Sequence, residues 1–120
     1  MRSCMDKLKA FDYFHDWNID AIAVSDRHKL IVAMEDRGTR ATLIFNRTSR
    51  CTLEHFSVTN NIVFDVKILN SGDTNYDLAL SMLAKSERFT DRPGSQIALI
   101  LATAGVEIAI EFDTLEIATA

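Results

Sequence analysis

The chain has few cysteines, glycines and prolines, and the shortage excludes several classes of protein. Among its 120 residues are two cysteines, Cys4 and Cys51, four glycines and one proline. Two cysteines without a Cys-x-x-Cys pair provide neither a disulfide framework nor a metal knuckle. The glycines stand singly at positions 38, 72, 94 and 105. The sequence therefore has no glycine-rich phosphate loop, and nucleotide binding by that route is excluded.

Long apolar runs are also missing. The longest, residues 97–102, has the length of a strand and falls far short of the ~20 residues that a membrane helix needs. The N-terminus lacks the charged-then-apolar order of a signal peptide. Since 48% of the residues are apolar and 25% are charged, the composition is that of a globular protein. We expect one cytoplasmic domain, residues 1–120, that does not contact a membrane.

What the sequence does contain is a series of short segments in which apolar and polar residues alternate. This period of two is typical of strands, and the compact turns between the segments favour antiparallel neighbours. In the segment 62–69 the alternation places Ile62, Phe64, Val66 and Ile68 on one face. The predicted strands cover residues 19–24, 30–35, 41–45, 51–58 and 62–69, with three more between 97 and 119.

Two segments have helical rather than strand patterns. Asp73 or Thr74 can cap a helix that runs to about Lys85. Apolar residues at three-residue spacing from Met5 to Phe14 predict a short N-terminal helix or helical turn. The polar segment 86–95, which contains the proline, is predicted to be the most mobile loop. The fold class is therefore α+β, mainly antiparallel sheet of seven or eight strands, folded into a sandwich or half-barrel.

The chain offers two weak candidates for a catalytic site. His15 and Asp16 are a potential metal-binding pair, but His28 and His55 lie at no recognisable ligand spacing from them. Cys51 and His55 share one face of a predicted strand, yet residues four apart in a strand are ~13 Å apart at ~3.3 Å per residue. A nucleophile and its base need hydrogen-bond contact. We therefore predict no catalytic residues, no metal and no cofactor.

Basic residues cluster around one predicted hairpin. Such a cluster can bind nucleic acid, but the interleaved aromatic residues of a single-strand binder are absent, so nucleic-acid binding is not favoured. The alternatives are a solvated edge that discourages aggregation, or ion pairs with acidic groups of the second half of the chain. The residues concerned are Arg37, Arg40, Arg47 and Arg50.

The acidic residues gather at the opposite end of the sequence. Residues 61–120 hold four Lys and Arg against nine Asp and Glu, and no basic residue follows Gly105. From residue 106 to 113 the alternation predicts a core face, formed by Val106, Ile108, Ile110 and Phe112, and an acidic face. A row of carboxylates raises the local potential and steers a basic partner, although a plain solvated face has the same pattern. The predicted partner-binding residues are Glu107, Glu111, Asp113 and Glu116.

The order of several segments resembles small bacterial immunity-protein families and uncharacterised β-rich families. The resemblance covers most of the chain and is carried by packing patterns. It implies a compact β-rich domain that is encoded, as a cognate inhibitor, beside a polymorphic toxin or a contact-dependent growth inhibition system, and it transfers no functional residue. The segments are Phe14-His15-Asp16-Trp17, Ile19 and Ile22, the strands around Leu30 and Leu43, Phe56, the strand from Asn61 to Val66, and Gly105 before the alternation from Val106 to Ile117.

These observations lead to three expectations of function. The first is a non-enzymatic binding protein, an immunity protein that neutralises a cognate bacterial toxin by direct binding. Its partner is expected to be basic, such as a nuclease domain. The second is a structural or assembly subunit that self-associates through a sheet edge, since the sequence leaves the oligomeric state open. The third is a metal-dependent enzyme that uses His15 and Asp16.

Overall fold

The structure is a computed structural model that describes residues 3–88 and 90–119. Its elements confirm the predicted fold class, α+β with mostly antiparallel strands. No helix in these ranges is long and apolar enough to cross a membrane. In chain order the elements are α1 (Cys4–Lys9), a 3₁₀ turn (Asp12–Phe14), β1 (Asn18–Ser25), β2 (Lys29–Asp36), β3 (Thr39–Asn46), β4 (Arg50–Glu54), β5 (Ile62–Leu69), α2 (Tyr76–Leu83), β6 (Gln96–Ala104), β7 (Glu107–Phe112) and β8 (Thr114–Thr119).

The eight strands form one open sheet that folds over on itself. Their order is β4-β7-β6-β5-β1-β2-β3-β8, and β1 and β5 share one register position, Asn18 opposite Ile62. The sheet therefore divides there into two halves. The chain crosses from β7 in one half to β8 in the other through Asp113, whose N–H donates to the carbonyl of Asn46 at 3.0 Å. This short crossing holds the two halves face to face.

The main core lies between the two halves. The alternation of β2 and β3 buries Val32 and Leu43 on one side. On the other side the predicted core face of β7 is confirmed, since Ile108, Ile110 and Phe112 have no exposed surface. The rings of Phe45 and Phe112 meet edge to face with centroids 5.0 Å apart. Each such side chain contributes about 1.5–3 kcal/mol by leaving water.

A second apolar cluster lies on the outer face of the half formed by β4, β7, β6 and β5. Helix α2 covers it with Ala79, Met82 and Leu83, which pack on Leu99 and Ala109 of the sheet. The helix is shorter than predicted, because Asn75 is its N-cap residue and neither Asp73 nor Thr74 caps it. Asp73 instead accepts a hydrogen bond from the N–H of Asn70 at 2.7 Å and closes the preceding turn.

The predicted N-terminal helix is present as α1 and the 3₁₀ turn. Leu8 and Phe14 are fully buried in the main core, and Trp17 is 9% exposed. Asp12, Tyr13 and Phe14 have φ values of 51°, 54° and 58°, a left-handed conformation that costs roughly 1–2 kcal/mol per residue. Burial of Phe14 and its stacking on Phe11, with centroids 4.8 Å apart, offset this cost.

Two strand predictions need correction. In β5 the register shifts on both sides of Val63, which marks a bulge. Val63 and Val66 are buried while Phe64 is 53% exposed, so Phe64 does not share the core face with Val66 as the alternation predicted. Strand β4 ends at Glu54, and the residues after it, predicted to extend the strand to 58, form a loop.

Candidate functional site

The four carboxylates predicted to form one docking strip do not share an exposed face. Glu111 is 4% exposed, and Asp113 is mostly covered, with 19% of its side chain exposed. Glu116 lies on β8, in the other half of the sheet, and accepts a hydrogen bond from Asn46 Nδ2 at 2.9 Å. Only Glu107 stays on a partly open surface of β7. The prediction of one exposed acidic strip is therefore wrong in its geometry.

Glu111 is buried because it is enclosed by two arginines and a serine. Arg88 Nε and Nη2 donate to its two carboxylate oxygens, each at 2.9 Å. Arg50 donates from Nε and Nη2 to Oε2 at 3.1 Å, and the hydroxyl of Ser49 donates to Oε1. Desolvation acts to raise the pKa of Glu111, but the hydrogen bonds from Arg88 and Ser49 and the charge of Arg50 hold that pKa below its ordinary value.

Asp113 forms a second, more open cluster beside the first. Its Oδ1 accepts the backbone N–H of Ser95 at 3.0 Å. Its Oδ2 lies 3.0 Å from Arg47 Nε and 2.9 Å from Arg92 Nη2. The hydrogen bond from Ser95, followed by the charges of Arg92 and Arg47, lowers the pKa of Asp113. This carboxylate is therefore ionised and neutralised by neighbouring arginines.

The four arginines that cluster in the sequence thus form two kinds of ion pair. Arg47 and Arg50 pair with acidic groups of the second half of the chain, as one of the three alternatives predicted. Arg37 lies 3.8 Å from its sequence neighbour Asp36, and Arg40 of β3 lies 3.1 Å from Asp20 of β1.

The sequence analysis did not predict that the segment 86–95 supplies arginine partners for Glu111 and Asp113. It treated that segment as the most mobile loop, whereas Arg88 and Arg92 tie it to Glu111 and Asp113. The N–H of Gly94 also donates to Ser49 Oγ at 2.9 Å. The sequence signal was available, because these two arginines are the only basic residues between Lys85 and the C-terminus.

A different set of carboxylates lies on the outer face of the sheet, in the part that helix α2 does not cover. Glu107 lies directly opposite Glu54 of β4. On its other side, Glu107 lies one residue beyond the pair of Ile108 with Ile100 of β6, which puts it beside Leu101, and Leu101 pairs with Asp65 of β5. Glu54 and Asp65 are 27% and 29% exposed. We call Glu54, Glu107 and Asp65 the acidic row.

Two lysines partly balance the acidic row. Lys85 Nζ is 3.1 Å from Glu54 Oε1, and Lys67 Nζ is 4.0 Å from Asp65 Oδ2. The carboxylate of Glu107 has one polar partner among the described residues, the backbone N–H of Ala102 at 3.5 Å. The acidic row therefore retains negative charge at Glu107, its central member.

Phe64 extends this surface next to Asp65. Its ring is exposed because the bulge in β5 turns it outward, and His15 packs against it edge-on at 5.7 Å. His15 Nδ1 contacts the carbonyl oxygen of Phe64 at 2.9 Å, and Nε2 lies 3.5 Å from Asp16 Oδ2. The hydrogen bond to Phe64, followed by the charge of Asp16, raises the pKa of His15. An apolar ring is thus bordered by carboxylates.

Within the described residues, neither the candidate nucleophile Cys51 nor the candidate metal pair His15 and Asp16 acquires the base or the further ligands that its chemistry would need. Burial raises the pKa of the Cys51 thiol to about 12, so the thiolate that attacks a substrate is scarce at neutral pH. His55 lies outside β4, in the loop that follows it. In residues 3–88 and 90–119 no group of three or more His, Cys, Asp or Glu side chains is arranged to hold a metal ion.

Comparison with known proteins gives no assignment. No model of a protein family matches the chain, and no curated protein has a sequence similar to it.

Proposed function

We propose that this protein is a non-enzymatic binding protein that docks a basic protein partner on the acidic row and Phe64. Within this class we propose an immunity protein, which neutralises a bacterial toxin by covering a surface that the toxin needs. Of the four carboxylates predicted to bind the partner, the proposal retains Glu107. Glu111 and Asp113 already form ion pairs with arginines of the same chain. Glu54 and Asp65 take their place in the proposed docking surface.

The observation that carries the proposal is the direct opposition of Glu54 and Glu107 across β4 and β7. Like charges at opposed positions of neighbouring strands destabilise a sheet, by the same ~0.2–1 kcal/mol that a favourable pair contributes. Within the described part of the chain only Lys85 lies within ion-pair distance of the two carboxylates, at Glu54. A basic partner would supply the missing countercharge, so binding would relieve the repulsion.

Phe64 supplies an apolar anchor for the same surface. Phenylalanine is among the aromatic residues that are enriched in the cores of protein interfaces. A ring bordered by charged groups has the common anatomy of an interface, an apolar centre with a polar rim. The surrounding carboxylates of Asp65 and Asp16 would set orientation and association rate.

The nuclease class of toxin fits this surface by charge. A nuclease binds the phosphate backbone of its substrate with lysine and arginine side chains, so its active surface is basic. A row of carboxylates offers the same sign of charge as that backbone. Occlusion requires binding alone and needs no chemistry from the inhibitor.

The test is binding to the product of the adjacent gene, measured by biolayer interferometry at low and at physiological salt. We expect tight binding that weakens as salt rises. The double variant Glu54→Gln/Glu107→Gln should bind at least tenfold more weakly, because it removes two of the three carboxylates. Glu116→Gln is the matched control, since Glu116 is an exposed carboxylate in the other half of the sheet. Equal affinity of all three proteins would refute the proposed surface.

Self-association through a sheet edge is the second candidate, and the topology gives it one supporting observation. Strand β8 pairs with β3 on one side, and on its other side Lys7 Nζ donates to the carbonyl of Leu115 at 2.6 Å. Among the described residues, β8 makes no backbone hydrogen bond on that side, and an edge of this kind can accept another strand. Sedimentation equilibrium decides this candidate, because a strict monomer at high concentration would eliminate it.

A further inference from the structure

The end of the sandwich opposite the acidic row is lined by basic side chains. The turn between β1 and β2, the connection between β3 and β4, the corner at Asp113 and residues 86–88 and 90–92 meet there. A cavity of about 250 Å³ lies among His28, Arg47, Thr90 and Arg92. A neighbouring cavity of about 470 Å³ shares His28 and extends past Val24 and Leu30. His28 thus joins a small polar cavity to a larger, partly apolar one.

Arg47 and Arg92 are held in place but keep hydrogen-bond donors unused. Each places one guanidinium nitrogen on Asp113 Oδ2, Arg47 through Nε and Arg92 through Nη2. Within the described residues, the remaining nitrogens of these two side chains contact no other protein acceptor. The side chains are 63% and 65% exposed. Asp113 therefore orients two guanidinium groups whose other donors are available to a ligand.

The charge of the cavity walls is positive even though carboxylates lie nearby. Glu111 and Asp113 are covered by the arginines that they bind, so the guanidinium groups rather than the carboxylates line the cavities. The charge of Lys29 is partly balanced by Asp26, whose Oδ2 lies 3.8 Å from Lys29 Nζ. Together the two linings contain one carboxylate, Glu87, and five basic side chains, which are Arg27, Lys29, Arg47, Arg50 and Arg92.

We propose that this end of the sandwich binds an organic phosphate monoester. The phosphate would occupy the smaller cavity, where two guanidinium groups match the geometry of a phosphate group through paired N–H donors. Thr90, whose hydroxyl donates to the carbonyl of Arg92 at 2.8 Å, and His28 line the same space. The fixed orientation of Arg47 and Arg92 on Asp113 lowers the entropy that binding would otherwise cost.

The organic part of the ligand would occupy the larger cavity. Its volume of about 470 Å³ falls within the ~300–1,000 Å³ of typical small-molecule sites. Val24 and Leu30 provide apolar surface in its wall, and Arg27, which also lines it, can stack on a flat ring. A small molecule with a ring and a phosphate fits these walls better than inorganic phosphate, which would leave the larger cavity empty.

Isothermal titration calorimetry with four probes tests the site. The probes are inorganic phosphate, phenyl phosphate, AMP and a single-stranded oligothymidine. We expect one saturable site for phenyl phosphate or AMP, with at least tenfold higher affinity than for inorganic phosphate and with affinity that falls as salt rises. Arg92→Gln and Arg47→Gln should each weaken that binding by about tenfold or more, because each removes a charge-assisted pair.

Arg37→Gln is the matched control. Arg37 lies in the turn between β2 and β3 with φ of 50°, and Arg47 lies in the connection between β3 and β4 with φ of 53°, at the opposite end of the sandwich. Urea midpoints of all variants establish that they fold. The proposal is overturned if neither organic phosphate binds, if Arg37→Gln weakens binding as much as Arg92→Gln, or if the oligothymidine binds and the monoesters do not. The last result would assign the surface to nucleic acid instead.

Discussion

Replacement of Glu111 by alanine should be among the most damaging single changes outside the apolar core. Glu111 is the shared partner of Arg50, Arg88 and Ser49. Removal of one member of a buried ion pair costs about 3–5 kcal/mol, because the other charge is left without a partner. Here the side chain of Arg50 is 19% exposed and that of Arg88 is 36% exposed, so both can regain some water. We expect about 3 kcal/mol, the lower end of that range.

Urea denaturation followed by the fluorescence of Trp17 measures this cost. Trp17 is the single tryptophan of the chain and is 9% exposed, so unfolding changes its surroundings. At a slope of about 1–3 kcal/mol per molar urea, a loss of 3 kcal/mol moves the midpoint by about 1–3 M. Glu116→Ala, a change at an exposed carboxylate, should stay within about 0.5 kcal/mol of the wild type.

The two arginines should contribute unequally. Arg50→Ala should cost more than Arg88→Ala, because the side chain of Arg88 is more exposed than that of Arg50 and solvent weakens an exposed ion pair. A double-mutant cycle separates the two couplings. A cost below about 1 kcal/mol for Glu111→Ala, or equal coupling to both arginines, would refute this reasoning about burial.

The same carboxylate gives a pH dependence of known sign. The pKa values of Glu111 and Asp113 are lower in the folded protein than their ordinary values. Their contribution to stability is therefore present above the unfolded pKa, about 4 for such groups, and is lost as the pH falls through the lower folded value. Glu111→Gln should show a smaller loss of stability below about pH 4 than the wild type does.

Three further predictions address other parts of the chain. Gly105→Ala should lower the stability of the protein more than Gly38→Ala does. Both glycines have φ near +87°, but only at Gly105 would an added Cβ collide with Asn60 and Asn61. The melting temperatures of the two variants test this order. Glu107→Gln should raise stability by a few tenths of a kcal/mol at low salt, because it relieves repulsion with Glu54; a clear loss in urea would contradict this. The Cys51 thiol, with a pKa of about 12, should react with a disulfide reagent at pH 8 only after urea unfolds the protein.

Local pattern was enough to predict most of the fold. Strict alternation and short turns predicted the strands and the buried face of β7, because burial on one face and a period of two act within a single segment. The prediction from alternation failed at β5, where the bulge turns Phe64 outward. An inserted residue changes the pairing with β6 but leaves the alternation in the sequence intact, so the sequence alone gives no sign of it.

The candidate site was harder to predict, because it depends on contacts between distant segments. Alternation correctly placed Glu107 and Glu111 on the non-core side of β7, but could not show that Asp113 lies beyond the strand or which of the three carboxylates other segments would cover. Arg50 and Arg88, 61 and 23 residues away from Glu111 in sequence, reach it only after the sheet folds over. The opposition of Glu54 and Glu107 likewise depends on the register of β4 against β7.

The most direct test of the proposed function is the affinity for the product of the adjacent gene. We predict that the wild-type protein binds it tightly and that Glu54→Gln/Glu107→Gln loses at least tenfold in affinity at low salt, while remaining as stable as the wild type in urea. We also predict that the difference between the two proteins shrinks as salt is raised. Binding that is indifferent to these two carboxylates, or no binding at all, would contradict the assignment of the acidic row as the docking surface.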